Sequence, residues 1–284
     1  MKEIKIWFTD FWGGMNPEDN YFYNILKDMY DVKIDPRDPD YLFFSVFGRN
    51  HQHYQNCKKI FYTGENIAPP MDYCDYAFSF DYIDDERNFR LPHYILYDGY
   101  YDLVNKKVDD SMVNRKFCNF IVSNPNCLVR NEFFMRLSEY KKVDSAGKFL
   151  NNMGRPLDAF AQNPLKAKVE FQSGYKFSIA FENNAYRPEH PGYTTEKIME
   201  PMTVNSIPIY WGNPEVGKEF NTESFINWYD FNSPGEMVEY IKELDNDDEK
   251  YMEKLNKPWF VDNKIPTKLT EESIRNFIKK IFDQ

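Results

Sequence analysis

Short apolar runs recur along this chain, and each breaks off at polar or glycine-containing residues before a segment of helical spacing begins. Residues 4–8 form the first such run. Asn16-Pro17-Glu18 then reads as an N-cap, a proline at the first helical position and an acid in the first turn. Tyr21, Phe22, Ile25, Leu26 and Met29 follow at helical spacing. Residues 41–46, 59–62 and 76–80 are further strands. The second half repeats the alternation. An apolar run at 117–122 stops at the turn Ser123-Asn124-Pro125-Asn126, a helix at 128–140 follows, and 177–181 is again a strand. Thr194 is placed to cap a helix through Lys197, Ile198 and Met199. Ile207-Pro208-Ile209-Tyr210-Trp211-Gly212 is a short buried strand whose proline marks an edge or a strand start. Two helices fill 234–256, and 267–282 is an amphipathic helix. Strands alternating with helices in both halves predict two α/β, Rossmann-like domains with mostly parallel sheets, facing a central cleft. In such sheets ligands bind beyond the carboxyl ends of the strands, so the residues just after each strand are the ones to examine. The polar stretch 98–115 reads as the connection, which gives domains at 1–112 and 113–262 and a C-terminal helix at 263–284 packing back on the body.

Composition removes several classes. The 284 residues carry 35 Lys+Arg against 45 Asp+Glu, a formal charge of −10, which argues against sequence-blind binding to nucleic acid. An anionic ligand would need a local cluster of cations. Cys57, Cys74, Cys118 and Cys127 form no C-x-x-C pair and are too few for a disulfide framework, so they read as buried free thiols. No stretch has the ~18–20 apolar residues of a membrane span, and the N-terminus reads as a strand and not a signal peptide. With no N-x-[ST] acceptor in the sequence, a reducing bacterial cytoplasm is the simplest compartment. The terminal helix is expected to pack on the body. Arg275, Lys279 and Lys280 beside its apolar face make weak peripheral contact with the inner membrane the alternative. The 25 Phe, 21 Tyr and 5 Trp supply a core, with sugar-stacking platforms among them.

Three post-strand segments carry candidate chemistry. In Phe61-Tyr62-Thr63-Gly64-Glu65-Asn66, burial of Glu65 at the rim of a cleft would raise its pKa and suit it to take a proton; the plain alternative is an exposed loop glutamate. Arg130, in the first turn of the helix after Ser123-Asn124-Pro125-Asn126, is either a bidentate phosphate ligand or half of a surface ion pair. The third and strongest is Phe181-Glu182-Asn183, then Tyr193-Thr194-Thr195-Glu196-Lys197. A helix N-terminus there offers free N–H groups to a diphosphate. Lys197 in the first turn opposes the helix dipole, which an anion bound nearby would explain; pairing with Glu182 or Glu200 would explain it too. His51-x-His53 and the acidic clusters at 84–86, 109–110 and 247–249 read as surface loops, not metal sites.

The segments 175–183, Tyr193-Thr194-Thr195-Glu196-Lys197-Ile198 and 207–212 closely resemble the signature of the α-1,3/4-fucosyltransferases, glycosyltransferase family 10. Residues 61–66 and 123–126 resemble its bacterial members of Helicobacter and Bacteroides type. The resemblance implies a two-domain GT-B fold, no catalytic metal and no cofactor beyond the co-substrate GDP-fucose. It also implies inverting transfer to the O3 or O4 hydroxyl of a GlcNAc-containing, Lewis-type acceptor. The N-terminal domain would hold the acceptor, with loops at 12–16 and 81–94 discriminating among glycans. By motif match Glu65 is the general base, Arg130 and Lys197 bind the diphosphate, Tyr193 and Glu196 contact the donor, and Asn183 lies in the donor pocket. The nine residues 184–192, with Arg187, Glu189 and His190, exceed the family's compact spacer and suggest a lid. A sugar-nucleotide or glycan sensor without turnover is the rival reading, and a metal-dependent sugar transferase using an acidic cluster is a third.

Overall fold

The computed structural model describes every residue except 98, 158–162, 186, 188–190 and 284. The chain divides into two compact units, Met1–Leu96 with Thr267–Gln284, and Tyr97–Pro266. In the first unit, β1 (Glu3–Thr9), β2 (Asp31–Ile34), β3 (Tyr41–Phe44), β4 (Lys58–Tyr62), β5 (Tyr76–Ser79) and β6 (Asn88–Arg90) form one sheet. Its order is β2-β1-β3-β4-β5-β6, and every pairing is parallel. Along β1 the side chains alternate, with Ile4, Ile6 and Phe8 buried. One face of this sheet is closed by aromatic rings. Phe22 of α1 (Tyr21–Lys27) lies 5.0–5.1 Å from the rings of Phe43, Tyr62 and Phe78.

The C-terminal helix, Glu271–Phe282, closes the rest of that face. Phe282 sits 4.2 Å from Tyr41 and Phe277 5.3 Å from Phe78. Ile274, Ile278, Ile281 and Phe282 are all buried. The apolar side of this helix is therefore covered by the sheet, the packing on the body that the sequence led one to expect. Among the described residues no helix is long and apolar enough to cross a membrane.

The second unit has β7 (Lys116–Phe120), β8 (Val143–Ser145), β9 (Tyr175–Phe181), β10 (Ile207–Trp211) and β11 (Ile226–Asn227). They form a parallel sheet of order β11-β10-β9-β7-β8. The helices are α2 (Leu128–Tyr140), α3 (Pro164–Gln172), α4 (Glu196–Thr203), α5 (Pro234–Asn246) and α6 (Asp248–Asn256). Every residue of β9 is buried. Pro208 stands second in β10, ahead of Ile209 and Tyr210 against which β11 pairs, the strand-start placement that its missing N–H favours.

Three boundaries differ from the sequence reading. The first helix is capped by Asn20, whose side chain accepts from the Tyr23 amide at 3.0 Å, while Asn16 instead closes a turn onto the Glu18 amide. The cap before α4 is Thr195 and not Thr194, whose hydroxyl donates to the Gly192 carbonyl. Residues 97–112 belong with the second unit. Their polar composition conceals Tyr100 and Leu103, both buried, with the Tyr100 ring edge-on to Phe260 at 5.4 Å.

Candidate active site

In the second unit the chain leaves β7 toward β8 on one side and reaches β9 on the other, so the strand order reverses between β7 and β9. Such a switch point is where a parallel sheet opens a crevice at its carboxyl end. Two of the sequence-nominated residues meet there. Arg130, in the first turn of α2, extends its guanidinium to the second residue after β9: Nη1 donates to Asn183 Oδ1 at 2.7 Å and Nη2 to the Asn124 carbonyl at 2.6 Å. Arg130 is fully buried, so the surface ion pair is excluded as its role. Both of its partners are neutral, and its Nε has none. Burial pulls the guanidinium below its ordinary pKa, with Cys127 and the Glu182 carboxylate opposing. A desolvated cation bonded only to neutral groups is costly, which makes this the strongest anion-directed feature of the unit.

Beside it stands Glu182, entirely buried and named in the sequence only as a counter-ion. Its carboxylate accepts from the Thr195 amide and the Thr195 hydroxyl, each at 2.7 Å, and lies 3.6 Å from Lys197 Nζ. Thr195 thereby holds the N-terminus of α4 against the end of β9. Burial lifts the Glu182 carboxyl above its ordinary range, against the pull of Lys197. Lys197 Nζ is also 3.1 Å from Thr195 Oγ1 and 3.4 Å from Glu196 Oε1. Burial alone would depress its pKa, but the carboxylates of Glu196, Glu182 and Glu200 outweigh burial and raise it. Its position against the helix dipole is thus explained by ion pairing within the unit, as the plainer sequence alternative allowed.

The strand-end glycine Gly212 has a steric cause: a Cβ there would fall 2.5 Å from Tyr210 Oη and 2.6 Å from Glu182 Cγ. Tyr210 Oη accepts from the Asn213 amide, and Asn213 Nδ2 donates to Thr194 Oγ1 at 3.1 Å. This buried network fixes residues 192–195, and Tyr193 is buried among them.

A cavity of about 330 Å³ opens beside α4, lined by Ser123, Gly147, Tyr97, Lys168, Glu196 and Glu200. At its edge the chain after β8 runs against Val122: the Phe149 amide donates to the Val122 carbonyl at 2.9 Å, and a Cβ on Gly147 would collide with the Val122 backbone. Lys168 pairs with Glu200. Burial, with Glu196 and Glu200 nearby, pushes the Tyr97 hydroxyl well above its usual pKa. Of these lining residues sequence reasoning missed Tyr97 and Lys168 and used Glu200 only as a counter-ion. The i,i+4 spacing of Glu196 and Glu200 was the available signal, since two acids on one helix face call for a cation opposite.

Arg130, Asn183, Tyr193, Glu196 and Lys197 therefore all belong to the second unit, and Glu65 to the first. Glu65 lies on the loop after β4, its amide donating to Thr63 Oγ1 at 3.1 Å. It is exposed, as the plainer sequence alternative of a loop glutamate allowed. Within the 184–192 segment Glu189 and His190 lie outside the described residues, and Arg187 is described.

Two parallel-sheet α/β units define the GT-B-like class of fold. Residues 6–97 match the Alpha-(1,3)-fucosyltransferase FucT N-terminal domain and residues 112–277 match the Glycosyltransferase family 10 (fucosyltransferase) C-term; the chain belongs to glycosyltransferase family 10. It is 32% identical to the Alpha-(1,3)-fucosyltransferase FucT of Helicobacter pylori over 89% of its own length. It spans 59% of that relative. The crystal structure of an alpha1,3-fucosyltransferase superposes on the whole chain with a TM-score of 0.83, at 29% identity and 91% of that chain. A crystal structure of alpha1,3-fucosyltransferase with GDP-fucose does so at 0.81, with 29% identity and 92% of that chain.

Proposed function

We propose that this chain is an inverting, metal-independent fucosyltransferase that moves L-fucose from GDP-β-L-fucose to the O3 or O4 hydroxyl of GlcNAc in an N-acetyllactosamine or Lewis-type acceptor. The observation that carries the reading is Arg130, a buried guanidinium bonded only to neutral groups at the switch point of a family 10 fold. Similarity to a fucosyltransferase crystallised with GDP-fucose supports the donor.

In the reaction the acceptor oxygen bonds to fucose C1 as the bond from C1 to the diphosphate breaks. Negative charge grows on the departing GDP, and Arg130 and Lys197 act on that charge together with the N–H groups that open α4. For the diphosphate to touch Arg130, Asn183 must leave Nη1 or share it, because the guanidinium is covered in the free chain. Tyr193 and Glu196 contact the donor, Glu196 from the wall of the 330 Å³ cavity. Glu65 takes the acceptor proton.

The test is a transfer assay with GDP-fucose over a small acceptor panel in EDTA, with NMR of the product linkage. Transfer with inversion in EDTA is the expected result. Activity abolished by EDTA and restored by Mn²⁺ would overturn metal independence, and GDP-fucose binding without transfer would leave a sugar-nucleotide-binding protein.

A further inference from the structure

The first unit carries its own switch point, between β1 and β3, and the residues leaving those strands build a second pocket. Asp10, directly after β1, is buried and holds φ at 60°, a conformation an aspartate adopts only when its surroundings fix it. Its carboxylate accepts from the Asn50 and His51 amides, each at 2.9 Å, and lies 2.7 Å from His51 Nδ1. The imidazole is stacked on Phe44 at 4.4 Å. With Nδ1 engaged by Asp10 and one ring face stacked on Phe44, Nε2 is the polar atom His51 can offer a ligand.

His51 lines a pocket of about 470 Å³ whose apolar walls include Phe44, Phe61 and Tyr73 and whose polar wall includes Ser45. That volume lies within the roughly 300–1,000 Å³ of small-ligand sites. Ser45 is 2% exposed and its hydroxyl has no hydrogen-bond partner. A buried hydroxyl without a partner is normally satisfied by water or ligand. Arg49, Gln52 and Lys59 also line the pocket and add N–H donors. A purely apolar occupant would strand these donors, whereas a pyranose offers an apolar face to the rings and ring, glycosidic and hydroxyl oxygens to the donors.

We propose that this pocket is an acceptor subsite holding the sugar next along the glycan from the one whose hydroxyl reacts. The proposal rests on the fucosyl-transfer reading with Glu65 as base. Ile67 and Ala68, two and three residues beyond Glu65 on the same loop, line the pocket, so the pocket and the proposed base share one loop of the first unit.

The test compares a monosaccharide GlcNAc glycoside with a disaccharide, N-acetyllactosamine, in the full chain and in Ser45→Ala and Tyr73→Ala; Tyr73 is 76% exposed, so its removal spares the fold. The KM for the disaccharide should rise roughly threefold to tenfold in each variant, as for loss of one contact. The KM values for the monosaccharide and for GDP-fucose should stay within about twofold. Equal changes for both acceptors, or none for the disaccharide, overturn the subsite. Should the wild-type chain transfer fucose to neither acceptor, the fucosyl-transfer reading fails. Saturation-transfer NMR of the disaccharide then decides the pocket separately: signals weakened in Tyr73→Ala support it, and unchanged signals overturn it.

Discussion

Replacing Arg130 by methionine separates the two things this residue can be. The substitution removes two charge-assisted hydrogen bonds, to Asn183 Oδ1 and to the Asn124 carbonyl. At about 1.5–3 kcal/mol each these amount to roughly 3–6 kcal/mol. Against this stands relief from holding a desolvated cation, itself several kcal/mol, and an apolar side chain of similar length fills the space. Asn183 is exposed and can turn to water. The two contributions nearly cancel, and the folded chain should change in stability by no more than about 2 kcal/mol. Donor affinity has no such compensation: losing one guanidinium–phosphate contact should weaken GDP by roughly 10- to 150-fold. Thermal melting gives the first quantity and calorimetric titration with GDP the second. Intact folding with unchanged GDP affinity would refute the anion-binding role. A stability loss above about 3–5 kcal/mol would show instead that Arg130 is a structural keystone. Arg130→Lys keeps the charge but cannot span both partners, so its GDP affinity should fall between the two.

Other substitutions test separate steps. Glu65→Gln should lower kcat by about 10²–10⁴-fold while GDP-fucose binding is kept; near-normal turnover would mean that another group is the base. Lys197→Ala should weaken GDP by roughly tenfold or more, and calorimetry showing wild-type affinity would assign Lys197 wholly to its ion pairs with Glu182 and Glu196. Gly212→Ala drives a methyl into Tyr210 and Glu182 and should cost about 1–3 kcal/mol in urea unfolding, and a neutral result would show that β10 can shift. Lys106 lies with Nζ 3.2 Å from the Trp259 ring centre and 2.7 Å from the Lys257 carbonyl, and burial depresses it from 10.5 to about 7. A folded pKa below the unfolded one means that the charge is a burden in full below about pH 7, fading as pH rises toward 10.5. The Tm of Lys106→Met relative to wild type should therefore be most favourable near pH 6 and fall by pH 9; a difference independent of pH would refute this.

The strands were legible because apolar runs bounded by turn residues leave few alternatives, and the caps were not, because several Asn and Thr residues near each helix start can do the same job. Thr195 won over Thr194 through its two bonds to Glu182, whereas Asn20 won over Asn16 locally, its side chain accepting from the Tyr23 amide and donating to the Asn16 and Pro17 carbonyls. Burial of Arg130 was readable but hidden by its charge: with Phe133, Phe134 and Leu137 it completes the i, i+3, i+4, i+7 stripe that α2 buries. Exposure of Glu65 was the plain alternative the sequence offered, but a loop glutamate carries no periodicity that would have decided between rim burial and exposure.

What the sequence cannot state is which strand ends are neighbours. Arg130 follows β7, and the next strand in the chain is β8, yet the partner of Arg130 follows β9, 53 residues on. Asp10 follows β1, the next strand is β2, and its partner His51 follows β3, 41 residues on. In both units the polar pair spans the place where the strand order reverses, and that is where no helix crosses over to fill the gap between strand ends. A buried charge can be tolerated there because side chains from two separate loops reach it, and a ligand can enter for the same reason. The distant pairings Arg130–Asn183 and Asp10–His51 are thus one topological consequence seen twice.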